Sequence, residues 1–244
     1  MIDVMKPLYT LLLLAALLSL GSCQAQEKQT KDKTYTLKSG DPNGIGKWYM
    51  GREIAHVMGY QGMAWLERSE REQEEETAQL IENMQIQADD VIADIGAVSG
   101  YHVFKIAPLT SSGKVYAVDI QQEMLDAIAD KQEALDVENI ERIKGEEQST
   151  NLPTNSVDKV LMVDVYHEFS YPKEMLASIH SALKPKGKIF LIEYRMEDPK
   201  VPIKRLHKMS EKQAVKEFEA NGFLLVENID NLPWQHCLVF EKQN

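Results

Sequence analysis

From residue 91 onward, short apolar runs alternate with stretches whose apolar residues recur at helical spacing. The runs at 91–95, 114–119, 140–144, 157–163 and 188–193 are short and bounded by turn residues, which predicts buried strands. Residues 101–107 read as a helix stopped by Pro108. Residues 122–135 carry Met124, Leu125, Ile128 and Leu135 on one helical face. Pro172 suits the first turn of a helix running to 183, after which Lys184-Pro185-Lys186-Gly187 reads as a turn. Ser210 with Gln213 forms a capping pair for another helix, and Gly222 ends it. Two runs, 223–226 and 237–241, follow with no helix between them, so an antiparallel pair is expected. Strands alternating with helices mean an α/β fold, a doubly wound parallel sheet covered on both faces.

Upstream of residue 91 the pattern is less regular. Asp41-Pro42-Asn43-Gly44 is turn chemistry, residues 48–58 read as a short helix, and Ser69 with Glu72 opens a long charged helix to about residue 84. In that helix Glu74-Glu75-Glu76 reads as a solvated face. Residues 41–88 are therefore expected to form a helical cap on a domain spanning 89–244. Residues 24–40 are polar and charged without periodicity, as in a flexible tether. Residues 8–20 are almost wholly apolar, too short for the ~20 residues a membrane-spanning helix needs. Lys6 before them and Gly21-Ser22 after them give the shape of a secretory signal over residues 1–22. Leu20-Gly21-Ser22-Cys23 resembles the bacterial lipobox, which implies cleavage before Cys23 and lipidation of its thiol. The expectation is a lipoprotein held at a membrane of the bacterial cell envelope, with residues 23–40 as the tether. The alternative is an ordinary signal peptide and an incidental cysteine.

Composition narrows the partners. The 244 residues carry Lys+Arg 27 against Asp+Glu 38, a net charge of -11, which opposes a nucleic-acid partner. Two cysteines, one of them consumed by the signal, make neither a disulfide framework nor a cysteine-based zinc site.

The candidate chemistry lies in the loop after the first strand of the alternating region. It reads Asp94-Ile95-Gly96-Ala97-Val98-Ser99-Gly100-Tyr101. A dinucleotide loop of the G-x-G-x-x-G kind needs glycine where Val98 and Tyr101 stand. The acidic-x-G-x-G-x-G pattern of S-adenosylmethionine (SAM) sites is met by Asp94, Gly96 and Gly100 and missed at Val98. Asp119 ends the second strand, Gly145-Glu146-Glu147 follows the third, and the fourth delivers Asp164, His167 and Glu168. With these landmarks in order, the stretch from about 91 to 241 resembles the class I SAM-dependent methyltransferases, in particular the small-molecule type related to quinone biosynthesis. The resemblance implies a Rossmann-like seven-stranded sheet with its last strand antiparallel, and SAM as cofactor. It places Asp94, Gly96 and Gly100 at the methionine part, Asp119 at the ribose, Ile120 against the adenine and Glu146 at the adenine amino group, with Asp164 also on the cofactor side. Val98 departs from the family's middle glycine. A β-branched residue there is expected either at positive φ or crowding the cofactor.

His167, just past the fourth strand, has the unperturbed pKa of a general base; its alternative role is a pocket wall. No metal is expected, because Tyr171 stands where H-E-x-x-H needs its second histidine. The aromatic and Met-rich segment 48–71 is expected to cap the site or form its acceptor pocket. The basic groups around Lys204 and His207 fall on the acceptor side. The reading is a lipid-anchored methyltransferase acting on a small-molecule substrate. Its rivals are a non-catalytic lipid-anchored binding protein on the same sheet and a nucleotide-dependent oxidoreductase.

Overall fold

A computed structural model describes residues 34–243. The predicted signal and Cys23 lie outside the described residues. The chain divides into two units, Met1–Thr34 and Tyr35–Asn244, and everything below belongs to the second. Among the described residues no helix is long and apolar enough to cross a membrane.

Seven strands make the central sheet: β4 (Val91–Ile95), β5 (Lys114–Asp119), β6 (Ile140–Lys144), β7 (Val157–Val163), β8 (Leu183–Tyr194), β9 (Phe223–Asn228) and β10 (Gln235–Lys242). Their order is β6-β5-β4-β7-β8-β10-β9, with β10 antiparallel to both neighbours. This is the expected Rossmann-like sheet. The period-two alternation of its strands sorts side chains into two layers. Ala93, Tyr116, Met162 and Leu191 face a layer completed by helices α6 (Pro172–Ala182) and α7 (Glu211–Glu219). Ile92, Ala117, Leu161 and Phe190 face the other, with α3 (Thr77–Asn83), α4 (Val103–Ile106) and α5 (Gln122–Leu135). Ser210 caps α7 by accepting from the Gln213 amide, and Gly222 ends it at φ 83.

The N-terminal part corrects the sequence reading. In place of a helix over 48–58 there is a hairpin of β2 (Gly44–Tyr49) and β3 (Arg52–Ala55), turning at Met50 and Gly51 with φ 47 and 103. Positive φ at both central residues is what a two-residue hairpin turn of type I′ requires; methionine at the first disguised it. The tether was expected to run to residue 40, yet β1 (Tyr35–Leu37) adds a third strand, with Tyr35 opposite Tyr49. The Tyr35 ring packs against Tyr49 and Tyr171, and its hydroxyl donates to Glu174. The helical cap is thus a three-stranded sheet followed by short helices. The long helix over 69–84 is two, α2 (Arg71–Glu75) and α3, broken at Glu76 with φ 48. Its predicted solvated face fails at Glu75, which is buried and takes hydrogen bonds from Arg71, Arg68 and the Tyr194 hydroxyl. Before these two helices, after the hairpin, α1 (Met63–Leu66) is a single turn. Lys184-Pro185-Lys186-Gly187 is not a turn but the irregular start of β8, where the register against β7 shifts.

Candidate functional site

The parallel strands β4, β5, β6, β7 and β8 end on one side of the sheet. A cavity of about 530 Å³ opens there, at the point where strand order reverses between β4 and β7. Its floor is the end of each strand: Ile95, Asp119, Gly145, Val163 and Tyr194. Its cover is the segment from Val57 to Arg71. The volume lies within the roughly 300–1,000 Å³ of small-molecule sites.

At one end of the cavity stands the loop after β4. Gly96 takes φ 79, and a Cβ on it would meet Val165 at 2.6 Å, so glycine lets this loop lie against the one after β7. Gly100 takes φ 78 under Phe104 and does not reach the lining. Val98 sits at φ 49, the first of the two alternatives, and lines the cavity. Asp119 binds the loop to its own strand end. One carboxylate oxygen accepts the Val98 amide at 3.0 Å, the other the Gln121 amide at 2.8 Å. Burial raises its pKa despite those two amides. Ile120 is an exposed apolar residue on the lining, and Glu146, also exposed, is on the lining too. Asp94 is one layer behind. Its Oδ2 is buried without a hydrogen-bond partner, and burial lifts its carboxyl to about 7. Asp164 lines the cavity at φ 51 with both oxygens engaged, by the Tyr194 amide at 3.1 Å and the Gln235 side chain at 2.6 Å. Burial and the nearby Glu75 and Glu193 raise its pKa well above the carboxylate range.

At the other end stands His167, 1% exposed. Glu193, at the end of β8, grips it twice, accepting its amide at 3.2 Å and facing ring Nδ1 at 2.6 Å. Nδ1 therefore donates to the carboxylate, and Nε2 presents its lone pair. Burial alone would lower the His167 pKa; the Glu193 and Glu168 carboxylates more than offset it, and the net shift is upward. Nε2 lies 3.0 Å from Nδ1 of His207, whose ring crosses that of His167 edge to face. Glu168 completes the group, 3.3 Å from His207.

The N-terminal segment ties the two ends together. The Met58 amide donates to Glu168 at 3.1 Å. Gln121, whose amide meets Asp119, donates to the Met58 carbonyl and accepts the Tyr60 amide. Arg52 of β3 fastens the hairpin below, donating to both oxygens of Glu217 at 2.9 and 3.0 Å and to the His167 carbonyl at 2.9 Å. The structure thus brings Gly96, Asp119, Ile120, Glu146, Asp164 and His167 to one cavity and sets Asp94 and Gly100 behind it. Glu193 and the pairing of His207 with His167 were missed. A carboxylate inside the apolar run of β8 was the available signal, because a buried charge demands a partner.

Comparison with known proteins agrees with this fold. Residues 93–189 match a family described as a methyltransferase domain. The fold is that of the class I methyltransferases. A crystal structure of a SAM-dependent methyltransferase from Aquifex aeolicus superimposes with a TM-score of 0.71 at 22% identity, covering 75% of this chain and 98% of that one. Among sequences, the uncharacterized methyltransferase YcgJ of Bacillus subtilis is 23% identical over 164 residues, 66% of this chain. The chain spans 64% of that relative's length. A second uncharacterized methyltransferase of Bacillus subtilis, YdaC, is 26% identical over 62% of this chain and 78% of its own. The matched methyltransferase domain contains the cofactor end of the cavity but stops short of Glu193 and His207.

The cofactor end fits SAM. Asp119 spends one lone pair of each oxygen on an amide and keeps capacity for ribose hydroxyls. Ile120 offers an apolar platform on the lining, while Asp94, with Oδ2 unpartnered, stays behind it.

Proposed function

We propose that the protein transfers a methyl group from SAM to a small-molecule acceptor, lying between the β4 loop and the His167 cluster under the Val57–Arg71 segment. The observation that carries this reading is the continuity of one cavity from Gly96, Asp119 and Ile120 to His167 and Glu168. SAM, when bound, supplies an electrophilic methyl. The chain's own contribution is alignment within a mostly apolar enclosure. The acceptor walls, which include Met58, Trp65, Leu66, Phe169 and Ile203, suit an apolar molecule of the quinone-precursor kind. His167 Nε2 faces its reacting atom, and with Nδ1 held by Glu193 it is placed to take a proton from it.

Calorimetric titration with SAM and its demethylated product tests the reading. Each is expected to bind once per chain. Asp119→Ala removes a partner of the ribose hydroxyls, worth about 1–3 kcal/mol, and should weaken SAM several-fold or more without unfolding. Unchanged affinity in Asp119→Ala would remove Asp119 from the site, and no binding to either form would leave only the fold.

The second part of the proposal is location: a lipoprotein anchored through Cys23 at the bacterial cell envelope. It rests on the apolar run 8–20 and the Leu20-Gly21-Ser22-Cys23 sequence. Cys23→Ala should move the protein out of the membrane fraction. Retention in that fraction, with the precursor cut elsewhere, sinks the anchor.

A further inference from the structure

The acceptor end holds three donor atoms whose arrangement a methyl-transfer pocket does not itself require. His167 Nε2, His207 Nδ1 and a Glu168 carboxylate oxygen converge in the cavity wall. They form a triangle with edges of 3.0, 3.3 and 3.8 Å. A point equidistant from its corners lies about 2.0 Å from each, against zinc bonds of about 2.0–2.2 Å to imidazole nitrogen and carboxylate oxygen. We infer that His167, His207 and Glu168 form a binding site for a divalent transition-metal ion of the zinc type, open to the acceptor half of the cavity.

Three features beyond the distances support the assignment. The first is the outer shell. A metal-bound histidine commonly donates its other ring nitrogen to a carboxylate, which fixes the tautomer and aims the lone pair. His167 does so to Glu193 at 2.6 Å, and both side chains are buried. Glu168 is held likewise, its second oxygen accepting the Met58 amide. The second is proton arithmetic. With Nδ1 of His167 committed to Glu193, its Nε2 is an acceptor, and so is the Glu168 carboxylate. With His167 neutral, only His207 Nδ1 can place a proton among the three, and a shared cation would satisfy all three acceptors at once. The third is charge. Arg52, which reaches the His167 carbonyl, is neutralised by Glu217, whereas Glu168 and Glu193 place two carboxylates on the histidines, with Lys204 also on the cavity wall. Two imidazoles and a carboxylate select zinc, iron(II), cobalt(II) or nickel(II) over Mg²⁺ and Ca²⁺, which take oxygen sets.

This inference deepens the methyltransferase reading and rests on it for its consequence: a metal at this place would bind the acceptor's heteroatom and lower its pKa. With the ion bound, His167 Nε2 is its ligand and no longer the base, and the ion takes over the task that His167 would otherwise carry alone. The sequence hid the site because its second histidine lies 40 residues from the first, on the turn Arg205–His207 after β8.

The test is direct. Purified protein stripped with a chelator is titrated with Zn²⁺ and, for its visible spectrum, Co²⁺, and the same samples are titrated with SAM. One equivalent of metal is expected, with binding weakened at least tenfold in His207→Ala, and Mg²⁺ should not displace it. Glu193→Gln, touching no metal, should cost about 10–100-fold in affinity as an outer-shell change does, provided its melting curve is retained. His207 is partly exposed on a surface turn, so His207→Ala decides the question even where Glu193→Gln fails to fold. Less than one equivalent bound, or equal affinity in His207→Ala, overturns the site and leaves the cluster a hydrogen-bonded histidine pair. SAM binding without metal binding refutes this inference alone; metal binding without SAM binding refutes the methyltransferase reading instead.

Discussion

The two ends of the cavity are built on opposite plans. At the cofactor end a single strand-loop-helix-strand passage supplies Gly96, Val98 and Asp119, and much of the work falls to the backbone. Amides of Val98 and Gln121 meet the Asp119 carboxylate, and glycines set the turn. At the acceptor end the backbone contributes little. Side chains come from the β7 exit, the end of β8, the turn Arg205–His207 and the N-terminal hairpin, each buried charge held by a partner far away in sequence. A backbone-built end tolerates drift in side chains and changes slowly. A side-chain-built end is respecified by few substitutions, which suits the half of the site that must choose an acceptor.

The largest expected effect breaks the acceptor end alone. Glu217 is fully buried, and Arg52 is its charge partner through two hydrogen bonds. Tyr166 and Gln213 donate to it as well but bring no charge. Arg52→Ala leaves that carboxylate uncompensated, which costs about 3–5 kcal/mol, and frees the hairpin from the His167 carbonyl. Chemical denaturation should show that loss, while whatever remains folded keeps its SAM affinity within a few-fold. A loss below about 1 kcal/mol would mean that the hairpin is not anchored there, and a collapse of SAM binding in folded protein would deny the independence of the two ends.

The next effect belongs to the cofactor end. Burial raises Asp94 from 3.8 to about 7 in the folded chain. A carboxyl whose folded pKa is raised binds more protons folded than unfolded between those values, so its contribution falls as pH rises from about 4 to 7. Three units at 1.36 kcal/mol each set a ceiling of about 4 kcal/mol. Asp94→Asn should flatten stability across that window, seen as melting temperatures that no longer fall with pH. The same change should weaken SAM if the unpartnered oxygen meets the cofactor's charge. An unchanged pH slope would show that Asp94 is solvated.

How much of this was legible in the sequence follows the same division. The seven strands, their order of appearance and the antiparallel β10 were legible because apolar runs and turn residues report burial locally. So were Gly96, Asp119 and the misfit of Val98, all within one passage of chain, though the sign of its φ stayed open. The hairpin was not, because Met50 stood at a turn position where Asn, Asp or Gly would have signalled it. Glu75 was not, because three consecutive glutamates look alike until one finds Arg71. The His167–His207 pair was not, because nothing in either neighbourhood encodes a contact made across two secondary structures. Local periodicity reports where a side chain faces, but not what stands opposite it.

The smallest expected effect sharpens the comparison at its most informative residue. Val98 adopts φ 49, a conformation costly for a β-branched side chain, at about 1–3 kcal/mol. Its amide is spent on Asp119, so the loop's conformation is held by the same carboxylate that is proposed to meet the ribose. Glycine keeps that amide, accepts the positive φ, and removes two methyls from the cavity lining. Val98→Gly should therefore bind SAM about tenfold more tightly, a change of 1.4 kcal/mol. Stability should shift less than either component, since glycine's extra unfolded-state freedom, about 0.4–1 kcal/mol, opposes the relief of strain. Side-by-side titration of the two proteins decides between two histories of the loop. Tighter binding means that valine is a burden on a glycine-type loop. Weaker binding means that the surrounding residues have closed around the valine methyls, and then the side-chain plan of the acceptor end extends across the whole cavity.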